Sequence, residues 1–412
     1  MARLLAALLS SAAASAVAPA QPLPEQAQQQ RLAGTFVSLD GTMCGPEVEW
    51  GAEIKAMAAL KMDTVVTIAS VATDKSGATL AYYPSALPFV SSWLPGRSDC
   101  VGRLLAAAHA HGGFTVHLGL ELNYGFNSEF ANASAAELFY RTAASHNAQV
   151  LAELHQRCKH QSPHSPPHPT HPRPQCSSPA PPRPRRCSHP PRLLRTDGSR
   201  YAGTFVGVYD SNEINDVEMS VWATAAYYTI WVQHYLRPTH SAAAKLRLPS
   251  SNAPYFCHSG GKIPGWGPAA VARFYKRLLT DVGPGLRRLW GKRSCSPHGF
   301  LKPSLTRKLL LTVQDCLGVS AGELYGNRSG TWFRQPSEVV PFYAALSTMM
   351  AALDPPRQLW SDTEIFQMEI IDGREENYSS APTERVLSQL TLEAPHVGGA
   401  VSFAWRYDSL YN

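Results

Sequence analysis

Short runs of β-branched and apolar residues alternate with longer stretches whose apolar positions recur at helical spacing, and this alternation runs through most of the chain. Gly34 to Leu39 opens as a β run, and Glu47 to Leu60 follows with Ile54, Met57 and Leu60 on one helical face. Asp63 to Ala69 is rich in β-branched residues and predicts a second strand. Val101, Leu104 and Leu105 then mark a helix over Asp99 to His111, closed by Gly112-Gly113. Phe114 to Leu120 predicts the third strand, and Ala135 to Gln156 the helix after it. Gly203 to Tyr209 is the fourth, ahead of a helix over Val217 to Leu236. The fifth is short and ends at Pro254-Tyr255-Phe256, with a helix from Ala269 to Leu279. Leu309 to Asp315, a helix from Pro341 to Leu353, and Gln358 to Glu364 come next. A helix from Thr383 to Leu392 and a strand from Gly399 to Trp405 complete the series. Eight strand–helix alternations predict an α/β fold, a single-domain (β/α)8 TIM barrel. The first turn lacks the GxGxxG of a dinucleotide-binding fold, and no repeat of solenoid length is present.

Two segments break the pattern. Lys159 to about Pro191 is rich in Pro, His, Ser and Arg and has no hydrophobic period, so it reads as a disordered insertion rather than a histidine metal tract. Gly291 to Lys308 is similar in miniature. The predicted organisation is a leader over 1–20, a linker over 21–32, and the first part of the barrel over 33–157. A low-complexity insertion then covers 158–200 and the second part of the barrel 201–412, with 291–308 as a second insertion.

The insertions also explain the charge. The net charge of +6 suggests nucleic acid at first sight. Eight Lys/Arg lie between Lys159 and Arg200 against Asp197 alone, and five more lie between Gly291 and Lys308 with no acid. The rest of the chain is therefore mildly acidic, and no nucleic-acid footprint remains. At 44% hydrophobic and 17% charged residues the composition is globular.

Met1-Ala2-Arg3 followed by Leu4 to Leu9 and Ala18-Pro19-Ala20 reads as a signal peptide, with a transit peptide as the alternative. The apolar run is too short to span a membrane. Asn132, Asn327 and Asn377 head Asn-x-Ser triplets, which fits a secreted or lumenal glycoprotein. Cys44, Cys100, Cys257 and Cys316 lie in the barrel body, where one or two disulfides are open to them, and no CxxC spacing marks a metal site.

In a (β/α) barrel the chemistry lies at the C-terminal ends of the strands. There the sequence places Asp40, Glu121, Asn123, Asp210, Asn212, Glu213, Tyr255, Gln314, Asp315, Asp362, Glu364 and Trp405. Asp216, just ahead of a helical run, reads as a helix cap. Glycoside cleavage needs one carboxyl to protonate the leaving oxygen and a second carboxylate opposite it. Glu213 and Glu364 follow strands four and seven, which stand across the mouth from each other. Trp50, Tyr83, Tyr255 and Trp405 are candidates to stack on sugar faces. The GxSxG elbow, the HExxH motif and a phosphate loop are all missing, and no cofactor is called for.

Several short motifs recur together and in order. They are Gly34-Thr35-Phe36, Glu53 with Met57, Tyr83-Pro84-Ser85 and His117-Leu118-Gly119-Leu120. Tyr209 with Glu213-Ile214-Asn215-Asp216, Pro254-Tyr255-Phe256, Gln314-Asp315 with Gly318-Val319, and Leu359-Trp360 with Glu364-Ile365-Phe366 follow. The set resembles a TIM-barrel family of glycoside hydrolase-like proteins filed as a domain of unknown function, over about residues 33 to 408 outside the two insertions. It is similar in turn to the retaining glycosidase clan, whose Asn-Glu pair ends strand four and whose nucleophile ends strand seven. The resemblance implies Glu213 as general acid/base, Glu364 as nucleophile, and Asn212, Asp315, Glu121, Tyr255 and Trp405 as contacts to a carbohydrate substrate. Glu213 departs from the pattern, because it stands several residues past the apparent strand end, in the loop or first helical turn. A non-catalytic carbohydrate-binding barrel is the alternative.

Removing either basic segment leaves the barrel elements at ordinary spacing, as translated intervening sequence would. Sequencing of the mature transcript is expected to lack both segments; a message that retains them overturns this reading.

Overall fold

The computed structural model describes residues 32–39, 43–74, 76–93, 99–123, 132–160, 201, 203–215, 225–246, 248, 250–255, 267–290, 310–315, 317, 336–353, 359–371 and 374–405. The eight expected strands are all present: β1 (Leu32–Val37), β2 (Thr64–Thr67), β3 (Thr115–Gly119), β4 (Phe205–Asn215), β5 (Ser250–Tyr255), β6 (Leu310–Gln314), β7 (Leu359–Glu364) and β8 (Ala400–Phe403). Each pairs in parallel with its sequence neighbours, and β8 returns to β1, so the sheet closes into a (β/α)8 barrel. Both insertions fall outside the described residues from 161 and from 291 onward, as do Asp40 and Asp216.

Helices alternate with the strands: α1 (Trp50–Ala59), α2 (Cys100–His111), α3 (Ala133–His160), α4 (Ala225–Trp231), α5 (Arg237–Lys245), α6 (Pro268–Trp290), α7 (Pro336–Ala351) and α8 (Thr383–Glu393). The expected end near Leu236 is instead a π-helical stretch, Val232–Leu236, that joins α4 to α5. Pro238 follows at the start of α5. A proline cannot donate to the residue four before it and crowds that carbonyl, and a wider turn ahead of it relieves both problems. α3 runs three residues past the predicted boundary at 157, and Cys158 is packed in it as a buried free thiol. No described helix is long and apolar enough to cross a membrane.

Side chains alternate across each strand, so one face fills the barrel and the other meets the helices. Phe36, Val66, Tyr209 and Val401 form the interior cluster with Phe366 and Ala404. Val37, Val65, Val116, Leu118 and Val208 pack outward against α1, α2 and the second half of α3. Leu311, Val313 and Leu359 pack against α6 and α7. Gly34 lies where a Cβ would run into the Thr64 carbonyl, and this close approach of β1 to β2 accounts for the glycine.

Two small additions rise from the C-terminal side. Val71–Thr73, Thr79–Ala81, Ser92–Trp93 and Glu121–Asn123 form a four-stranded sheet. Phe366–Ile371 and Arg374–Ser380 form an antiparallel hairpin directly after β7. A disulfide joins Cys44 to Cys100 and so ties the segment after β1 to the first turn of α2. Asp99 caps that turn through Gly102 N–H at 2.9 Å, and Arg157 holds the other Asp99 oxygen at 2.7 Å.

Trp405 was expected at the rim, but its indole N–H donates to Glu53 of α1 at 2.7 Å, and its backbone N–H donates to Phe36 at 2.8 Å. Its ring is buried among the residues that pack on α1, so it locks β8 to β1. Replacing Trp405 with Phe removes a hydrogen bond to a carboxylate and is expected to cost about 1–3 kcal/mol of stability, read as a lower denaturation midpoint. An unchanged midpoint would remove this bond from the closure of the barrel.

Candidate active site at the carboxyl ends of the strands

Glu364 is the last residue of β7 and is 1% exposed. Its strand neighbours fix its direction. Thr363 faces outward, because its hydroxyl donates to Glu393 of α8 at 3.2 Å. Alternation then turns Asp362 and Glu364 to the inner face, and the register sets Glu364 beside Phe403 of β8. Phe403 in turn packs on Phe36 inside the barrel.

The strand register continues from Asp362 across four strands. Asn215 pairs with Tyr255, Tyr255 with Gln314, and Gln314 with Asp362. Four polar or aromatic residues therefore stand in register, Asn215, Tyr255 and Gln314 at the ends of β4, β5 and β6 and Asp362 two residues before the end of β7.

Glu213 lies inside β4 and not beyond it, contrary to the expectation from sequence. The strand continues to Asn215, and its pairing with β5 shifts between Asp210, opposite Asn252, and Ile214, opposite Pro254. Asn212 and Glu213 occupy that irregularity. A bulge re-aims residues and breaks the alternating pattern, so the period points to a strand end at Tyr209 while the strand continues to Asn215.

Three residues expected to meet sugar are engaged elsewhere. Trp405 is bonded to Glu53, as described. Glu121 is buried in the small sheet, where Thr73 donates to it at 2.6 Å and His146 of α3 lies 3.1 Å away. Its own N–H donates to Asn147, Asn147 donates to Tyr235, and Tyr235 donates to Asp210 of β4 at 2.5 Å. This chain of bonds ties β4 to the small sheet through α3 and the π-helical stretch.

Asp315 is the third. Leu311 and Val313 face the helices, so alternation turns Asp315 outward toward α8. There it is fully buried, accepts Leu317 N–H and Glu364 N–H at 3.2 Å each, and receives the Gln389 amide. Sequence reading missed Gln389, Arg385 and Glu393 on this helix. A Gln-x-x-x-Glu spacing that buries polar residues on a helix otherwise reading as a barrel-covering face is the signal that was available.

Burial lifts the Asp315 carboxyl from the usual 3.8 to about 6, although its three hydrogen bonds and nearby Arg385 favour the charge. Burial also raises Glu393 well above the ordinary carboxylate range, and the charge of Asp315 adds to the effect. Tyr343 of α7 stays protonated in the same surroundings and donates to Val313 at 2.9 Å.

No family model matches the chain, and no curated protein does. Among solved structures the fold is similar to that of a candidate α-L-fucosidase from Bacteroides thetaiotaomicron, with a TM-score of 0.53 and 12% identity over 94% of this chain and 91% of that one. At that identity the likeness shows the fold alone, the (β/α)8 barrel.

A folded value above the unfolded one means that Asp315 contributes full stability below about pH 4 and loses it as the pH rises through about 6. Melting temperatures of Asp315→Asn and wild type are therefore expected to diverge in their pH dependence across this window. Parallel curves would take Asp315 out of the titrating groups.

Proposed function

We propose that this protein is a glycoside hydrolase acting at the mouth of the barrel, with Glu364 as nucleophile and Glu213 as general acid/base. The observation that carries the reading is the position of Glu364, an inward carboxylate at the end of β7. β4, which carries Asn212-Glu213 to the same end of the barrel, supplies the second carboxylate. In this reading Glu213 protonates the glycosidic oxygen while Glu364 attacks the anomeric carbon and forms a glycosyl ester. Glu213 then takes a proton from water, which displaces Glu364 and releases the sugar. In this reading Asp362, Gln314 and Tyr255, which are neighbours in the strand register, meet sugar hydroxyls and ring faces. Asp315 and Glu121 hold the walls behind them, and Trp405 holds the seam.

The fold likeness supplies an α-L-fucoside as the first substrate to assay. A secreted or lumenal site is part of the same proposal, because the Cys44–Cys100 disulfide is at home in an oxidising compartment.

Glu213→Gln and Glu364→Gln separate an enzyme from a sugar-binding barrel. In the enzyme each is expected to lower turnover of an aryl glycoside by about 10²–10⁴-fold while glycan binding persists. A wild type that binds glycans and hydrolyses none of a broad glycoside panel would establish the binding module instead.

A further inference from the structure

Both backbone groups of Glu364 are held from outside the barrel. Its N–H donates to Asp315, the residue after β6, at 3.2 Å. Its carbonyl accepts from Arg385 at 3.3 Å and from Gln389 at 3.5 Å, both on α8. The same Gln389 amide also bonds Asp315, and the same Arg385 nitrogen bonds the Phe366 carbonyl. One turn of α8 thus grips the chain on both sides of Ile365, where β7 ends and the hairpin begins. β7 has no comparable need for such bonds lower down, where ladder pairing with β6 and β8 satisfies its backbone.

The grip is made of groups that are costly to bury. Asp315, Gln389 and Glu393 are each 0% exposed. Buried polar groups are tolerated where their bonds are met, and a carboxylate is far more costly than an apolar side chain of the same size. Leu or Met at these positions would cover β7 without that cost. Arg385 is partly buried too, and its charge faces Asp315 and Glu364. What the polar set does that an apolar one would not is to fix the two peptide units that flank the Glu364 Cα.

We propose that Asp315, Gln389 and Arg385 are positioning residues that lock the backbone of Glu364, so that α8 sets where this carboxylate points into the barrel. The inference rests on the proposed role of Glu364, and adds that the geometry of the site is set from the helix layer. A displaced reacting group loses rate without losing substrate affinity in proportion.

Gln389→Leu keeps the volume and removes both bonds, and Asp315→Asn is the milder partner should the first fail to fold. Amide hydrogen exchange followed by mass spectrometry reads the lock without any turnover. Exchange in the peptide that covers Glu364 and Ile365 is expected to rise, while that of Ala400–Phe403 stays as in the wild type. On an aryl glycoside, kcat is expected to fall by about tenfold or more with KM within about threefold. Unchanged exchange at Glu364 overturns the proposal, and so does loosened exchange with an unchanged kcat. If the wild type turns over no glycoside, the hydrolase reading fails, and exchange at Glu364 still decides whether the lock exists.

Discussion

β1 hydrogen-bonds to β2 on one side and to β8 on the other, and the second pairing joins Thr35 to Ser402, 367 residues away. Bringing such distant segments together carries a loop-closure cost that local contacts cannot offset. The seam is accordingly dense in bonds. The Ser402 hydroxyl donates to the Thr35 hydroxyl at 2.9 Å, Thr35 donates to the Ser402 carbonyl at 3.1 Å, and Trp405 reaches both Phe36 and Glu53. Without this seam the sheet would have two open edges, and the ends of β4 and β7 would not face one another across a mouth.

Closure gives every strand an inside and an outside, and the period of two distributes the acids between them. Thr363 and Glu364 are neighbours in sequence, yet one bonds to α8 and the other faces the barrel. Gln314 and Asp315 divide in the same way: the first stands beside Asp362 on the inner rim, and the second is buried against Gln389. A carboxylate at a strand's end is therefore not by itself a candidate for catalysis. Its face decides whether it meets a substrate or a helix.

Fold and function stand on different footings here. The barrel shared with a candidate α-L-fucosidase is an architecture that hosts many chemistries. The case for hydrolysis is carried by side-chain placement, chiefly by Glu364 at the tip of β7 and by the support that its backbone draws from α8. That support differs in kind from the network around Glu121, which bonds β4, α3 and the small sheet together.

The sequence by itself determined the eight strands, their order and the helices between them, because strand and helix periods are local and each run carries its own. It also set Glu364 at the end of the seventh strand, since the short run from Leu359 that stops at this carboxylate is readable without its neighbours. It missed the length of β4, where a bulge interrupts the period, and the continuation of the helical path past Pro238, which the π-helical turn makes tolerable. Tertiary structure alone decided the facing of Asp315, Glu121 and Trp405. Their polar atoms are met by Gln389, His146 and Glu53, residues 74, 25 and 352 positions away. Which partner a buried polar atom finds depends on the closure of the barrel, and no local pattern records it.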